Sequence, residues 1–237
     1  MEEQIIIQDF SDYIKRVEVT AGLDGYFMLF RGQDVDKELL PSICRENPKI
    51  DSTQREMETI DEFKRRAFNI AHTEKLNDYW DWLVYTQHFG LKTRLLDWTT
   101  NALVALFFAC YKYTNSDSFV YLLIANENMR LDKGKDVSPF TIKSTKVLRP
   151  PQNNERIVAQ AGWFTAHSFS TENARFVSLD KNLRTRNRIK KYVVPYALKH
   201  DFMIKLDKFG INYMTMFPDA EGLCKQINWE NENKASR

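Results

Sequence analysis

The apolar positions of the chain follow two different rhythms. Ser11 to Val19 carries helical spacing, with Asp9 or Ser11 available as its cap. Gly22 and Gly25 punctuate the chain. Tyr26-Phe27-Met28-Leu29-Phe30 then forms an apolar, strand-like run that ends at Arg31-Gly32. Pro41 and Pro48 mark a loop. Met57, Ile60, Phe63, Ala67, Ile70 and Ala71 predict a helix from Thr53 to about Ala71. Leu76, Tyr79, Trp80, Leu83, Val84 and Gln87 predict another, with Gly90 placed as its C′ residue. Leu95-Leu96 reads as a short strand ending at Asp97-Trp98-Thr99-Thr100. The run from Ala102 to Tyr111 is apolar on all sides, which predicts a core helix starting near Asn101.

The second half is richer in strand patterns, at Phe119–Ala125, Phe140–Val147, Ile157–Ser168 and Ile189–Val194. Ala197–Phe209 reads as helix and another helix follows Pro218. The polar tail, residues 228–237, is expected to fray. No repeat or low-complexity linker divides the chain. The pattern predicts one α+β domain over residues 1–237, its helical first half packed on a mixed or antiparallel sheet.

Composition changes this picture little. The 237 residues are 43% hydrophobic and 13% aromatic, which excludes disorder over most of the length. A net charge of +2 argues neither for nor against nucleic acid. Cys44, Cys110 and Cys224 fit no disulfide framework and no zinc spacing, and Cys110 reads as a small buried hydrophobe. Such cysteine usage suits a reducing compartment. The start, Met1-Glu2-Glu3-Gln4, lacks the basic and apolar segments of a signal peptide, and no run approaches the ~18 apolar residues of a spanning helix. The expectation is a cytoplasmic protein with no metal and no membrane partner. Walker and Rossmann phosphate loops are missing, as is a Gly-x-Ser-x-Gly elbow.

Two features carry candidate chemistry. Lys181, Arg184, Arg186, Arg188, Lys190 and Lys191 lie within eleven residues that contain no acid. On a strand, Arg184, Arg186, Arg188 and Lys190 share one face and form a stripe suited to a phosphate backbone. A basic edge that discourages aggregation is the simpler account. The second feature is Arg31-Gly32, a guanidinium at a strand end beside a glycine. Its planar fork suits phosphate or carboxylate, and glycine lets a ligand approach the main chain. The alternative is a structural arginine paired with a carboxylate such as Asp97.

Three segments resemble the FRG domain family over roughly residues 20 to 225. They are Tyr26 to Gln33, which contains Phe30-Arg31-Gly32; Gln87-His88-Phe89-Gly90-Leu91-Lys92-Thr93-Arg94-Leu95-Leu96-Asp97-Trp98-Thr99 with the apolar helix after it; and Ala159 to Phe164 with Gly210-Ile211 and Phe217-Pro218-Asp219. A more distant resemblance is to ADP-ribosyltransferases. It implies an ADP-ribosyltransferase-like fold, NAD as substrate, and transfer to a macromolecule, either nucleic acid or protein, by an effector of toxin or phage-defence type. Under it, Arg31 and Gly32 match the first signature, and Thr99 or Thr100 the hydroxyl that seats the nicotinamide ribose. His88 and Arg94 would contact ribose or phosphate. A helix-end histidine and an Arg94–Asp97 pair are the alternatives there. Trp98 and Trp163 lie beside these residues as candidates for stacking. The third signature, normally a glutamate, is represented by Gln160, with Glu155 just before it and Asp97 as the other carboxylate. Non-catalytic nucleotide sensing and nucleic-acid binding are the competing functions. The shared-site idea requires Arg31, Asp97 and Gln160 to converge.

Overall fold

The computed structural model describes residues 4–20, 25–67, 76–152 and 154–235. Its elements in chain order are β1 (Gln4–Ile6), α1 (Phe10–Thr20), β2 (Tyr26–Gln33), α2 (Thr53–Ala67), α3 (Tyr79–His88), β3 (Leu95–Thr99), α4 (Ala102–Cys110), β4 (Ser118–Asn126), β5 (Lys146–Leu148), α5 (Glu155–Ala159), β6 (Gly162–Ala166), β7 (Phe169–Ser170), β8 (Arg175–Phe176), β9 (Ile189–Val194), α6 (Lys199–Lys208), α7 (Tyr213–Met216) and α8 (Ala220–Ala235). Seven strands form one mixed sheet in the order β1-β9-β4-β2-β3-β6-β5. Among the described strands β1 pairs in parallel with β9, the other pairs are antiparallel, and β7–β8 is a separate hairpin. Among the described residues no helix is long and apolar enough to cross a membrane.

The period of two along β2 and β4 divides the core between the sheet's faces. Met28, Phe30, Val120, Leu122 and Ile124 join Tyr192 and Val194 in packing against residues of α1, α4, α6, α7 and α8. Leu29, Leu96, Trp98, Tyr121, Leu123 and Ala125 form the opposite core with Leu39 and Leu179 from loops. Trp80, Leu83 and Val84 of α3 pack with Leu95 and Phe164 in a third cluster. Helix α4 is buried through Val104, Ala105, Leu106, Phe107, Ala109 and Cys110, as its all-round apolar sequence predicts. Burial of each such large apolar side chain contributes roughly 1.5–3 kcal/mol.

Local signals placed several boundaries correctly. Asp9 accepts from the Asp12 amide and caps α1, while Asn101 accepts from Leu103 and Val104 and caps α4. Gly90, at φ +91°, follows α3 and donates to Gln87, while Leu91 donates to Thr86. Those two bonds are a Schellman motif, which requires a residue tolerant of positive φ.

Other expectations need correction. Strands β2 and β3 come from the first half yet lie near the middle of the sheet, so no helical half packs on a strand half. Of Phe140–Val147 only the end is strand, because Ser138 bonds to Phe140 and Thr141 and turns the chain there. Ile157 lies in α5, whose start is capped by Asn154 bonding to Arg156, and the strand begins at Gly162. The tail from Asn228 to Ala235 is helical in α8, anchored by a buried Trp229 whose indole donates to the Tyr113 hydroxyl at 2.8 Å. Arg186–Arg188 is a 3-10 turn and β9 starts at Ile189. Asn182 bonding to the Arg184 amide, and Thr185 to the Leu179 carbonyl, hold that segment in turns. Arg184, Arg186, Arg188 and Lys190 therefore share no strand face. Ile70, Ala71 and Gly22 lie outside the described residues.

Candidate functional site

Strands β2 and β3 are neighbours in the sheet but pair at one position, Phe30 with Thr99. Beyond it β2 follows β4 through Gln33, whereas β3 follows β6 along all five of its residues. The sheet is thus split between residues 31–33 and 97–98. A cavity of about 270 Å³ occupies the split, lined from both strands and floored by Ala105, Phe108 and Tyr111 of and after α4.

Arg31 bridges the opening. Its Nη1 donates to the Asp97 carbonyl at 2.7 Å, replacing a ladder bond that the parted strands do not make. The same atom lies 3.6 Å from the Asp97 carboxylate, with side-chain exposures of 17% for Arg31 and 63% for Asp97. Its buried Nε has no partner among the described residues. Burial draws the guanidinium below its usual pKa, Asp97 opposes this and the nearby Arg45 adds to it. Asp34, the other acid lining the cavity, is engaged by Lys112 at 3.3 Å and Lys37 at 4.0 Å. Arg31 and Arg45 therefore face one exposed carboxylate between them. A poorly neutralised buried cation favours an anionic ligand.

Asp97 is held from its far side as well. Its carboxylate accepts from Gln87 Nε2 at 2.7 Å, and Gln87 in turn accepts from the Thr93 hydroxyl. A second cavity of about 190 Å³ opens here, lined by Gln87, His88, Arg156, Ile157, Trp163 and Phe164 together with Asp97, Trp98 and Gln160, which also line the first.

Arg31, Asp97 and Gln160 do line one cavity, although they come from three distant segments. Gln160 is not on a strand. It caps α5, and its Nε2 donates to the Met216 carbonyl at 2.9 Å. Ala161 beside it holds a left-handed φ of 45°, and its carbonyl accepts from the Thr100 amide, which locks this turn onto the end of β3. Glu155 is exposed on α5 and lines neither cavity. Thr99 is buried in the wall, where its hydroxyl accepts from the Asn101 amide, while Thr100 is exposed and outside both cavities. Trp98 is buried, with its indole N–H committed to Thr165 at 3.0 Å, so it serves as a shared wall. Trp163 lines the second cavity and packs its ring 5.5 Å from that of Phe27. Lys190, Arg184, Arg186 and Arg188 lie away from both cavities' walls.

Arg94 is removed from the candidate site. It is fully buried, with Nε on Glu56 at 2.6 Å and Nη1 on the Pro139 carbonyl at 2.9 Å, and does not pair with Asp97. Gly32 also has a structural reason. A Cβ there would overlap the Ala105 carbonyl and lie 2.5 Å from the Ala109 amide, so the glycine allows β2 to sit directly on α4.

Sequence reasoning missed Lys37 and Arg45, which sit in an irregular loop with no periodic signal. It also missed Phe108 and Tyr111, whose helix reads simply as core. His167 was missed too. It is buried at the end of β6 with Nε2 3.0 Å from the Thr165 hydroxyl and Nδ1 without a partner. Burial, then Arg31 and Arg94, push its pKa down to about 3, so it is neutral. Among the described residues no cluster of three or more His, Cys, Asp or Glu side chains is arranged for a metal ion.

Residues 27–118 match the model of the FRG domain. The match is shorter than the span of about 20 to 225 expected from the motifs, and runs from β2 into the start of β4. It contains every residue lining the first cavity except Gln160, so the matched segment supplies nearly all of that cavity's wall. No curated protein and no solved structure matches the chain.

Proposed function

We propose that the cavity between β2 and β3 binds NAD and that the chain transfers ADP-ribose to a macromolecular acceptor. The observation that carries this reading is Arg31, set between parted strands with its buried Nε unpartnered among the described residues and with Arg45 and Lys37 on the same cavity. A pyrophosphate matches that charge, and the guanidinium forks suit its oxygens. Phe108, Tyr111 and the Trp98 wall supply apolar surface for a base. Cleavage of the nicotinamide bond develops positive charge on the ribose, which a preorganised carboxylate stabilises. Asp97 is the acid left for that role, since Glu155 lies outside the cavity and Asp34 is engaged by lysines. Such chemistry suits an effector of toxin or phage-defence type.

One observation favours a second reading, a nucleotide-binding module without turnover. Gln160, at the position where the resemblance expects a glutamate, is neutral and tied to the Met216 carbonyl. A binding module needs no group that acts only in the transition state. Release of nicotinamide from NAD by the purified protein separates the two readings.

A further inference from the structure

The second cavity meets the first at Asp97, Trp98 and Gln160, so a group seated in it abuts whatever lies against Asp97 on the other side. Its titratable side chains are Asp97, Arg156 and His88, and His88 is its imidazole base. His88, the last residue of α3, lines it half-buried, and its position is fixed by the Schellman turn at Gly90. Its ring packs on Phe89 at 4.8 Å. Neither ring nitrogen has a hydrogen-bond partner among the described residues.

The charged groups facing His88 are Arg156 from α5, held by Asp219 at 2.5 Å, and Asp97 from β3, held by Gln87. The C-terminal end of α3 favours a charged imidazole. Desolvation and then Arg156 outweigh it and bring the pKa below the ordinary value. The ring is thus neutral at neutral pH, with a lone pair open to the cavity's contents.

We propose that this second cavity is the acceptor site, and that His88 takes the proton from an attacking hydroxyl, water included. The proposal rests on the reading of the first cavity as the NAD site. The acceptor oxygen bonds to C1′ of the nicotinamide ribose, and the C1′–N bond breaks with its electron pair leaving on neutral nicotinamide. The hydroxyl proton passes to a ring nitrogen of His88 and then to solvent. Asp97, shared by both cavities, faces the ribose while its charge develops.

The experiment measures nicotinamide release from NAD by the full chain and by His88→Ala and His88→Gln, across roughly pH 5 to 9, with NAD binding measured in parallel by calorimetry. Both variants should lose about 100-fold in turnover and keep NAD affinity within about twofold. Turnover by the unsubstituted protein should fall on the acid side as His88 gains its proton, and that limb should vanish in the variants. Added imidazole should restore His88→Ala in proportion to its unprotonated form, and should leave His88→Gln unrescued because the glutamine fills the space. Undiminished release by the variants, with the acid limb intact, overturns the role of His88 and leaves the NAD reading standing. No release by the unsubstituted protein overturns the transferase reading and this inference with it.

Discussion

Glu56→Ala should be among the most damaging single changes in this chain. Glu56 and Arg94 side chains are each 1% exposed, and Glu56 accepts from both the Arg94 amide and its Nε at 2.6 Å. This pair ties α2 to the residue immediately before β3, and so sets where Asp97 lies. Alanine would leave the Arg94 Nε and main-chain N–H without acceptors in a dry site, with the guanidinium charge unpaired and only Nη1 still bonded to the Pro139 carbonyl. Breaking a buried pair from one side costs about 3–5 kcal/mol. For a chain of this size that is a fall in Tm of roughly 6–20 °C. Urea unfolding followed by circular dichroism measures the loss directly. Replacing both partners, as Glu56→Leu with Arg94→Met, removes both desolvated charges and should lose less than the single change. A loss below about 1 kcal/mol for Glu56→Ala, the level of an exposed pair, would refute the structural assignment of Arg94.

Two further outcomes follow from the site. His167 is buried neutral with its pKa lowered to about 3, so protonation on unfolding should cost about 1.4 kcal/mol of stability per pH unit below ~6.5. That loss sets in as pH falls through the unfolded value and ends near the folded one. In the His167→Gln protein the stability slope should be shallower, by about half a proton at pH ~6.5 rising to nearly one at pH ~5.5, read from urea unfolding at each pH. For Arg31→Ala, NAD at ~100 times its dissociation constant should no longer give the roughly 2.7 kcal/mol of stabilisation expected for the unsubstituted protein. Equal thermal shifts in the two proteins would take Arg31 out of the ligand site.

Much of the local structure was legible because single residues dictate it. Asn101 capping α4, Gly90 ending α3 and the all-round apolar run of α4 each act through their own chemistry. The split between β2 and β3 was not legible, since pairing at Phe30 alone depends on β2 and β3 being held by different neighbours. The convergence of Arg31, Asp97 and Gln160 was anticipated from the family segments. The reason for Gly32 was misread, because a close approach to α4 and a close approach to a ligand leave the same glycine in the sequence. Arg94 was misplaced for a similar reason. Its partner, Glu56, lies 38 residues away on a helix whose pattern marks that position as polar surface. Side-chain-to-backbone bonds at Asn154 and Ser138 likewise turned parts of two expected strands into a short helix and a turn, and those at Asn182 and Thr185 put the basic stripe on turns.

Nicotinamide release by the unsubstituted protein and by Asp97→Asn tests the central claim most directly. The 2.7 Å bond from Arg31 goes to the Asp97 main-chain carbonyl, so asparagine preserves that bond and removes mainly the charge. The account predicts measurable release by the unsubstituted protein. It also predicts a loss of at least ~100-fold, about 2.7 kcal/mol, in Asp97→Asn with little change in NAD affinity. Equal release by both proteins would contradict the role of Asp97. No release by either, with NAD bound by both, would establish a nucleotide-binding module in place of an enzyme.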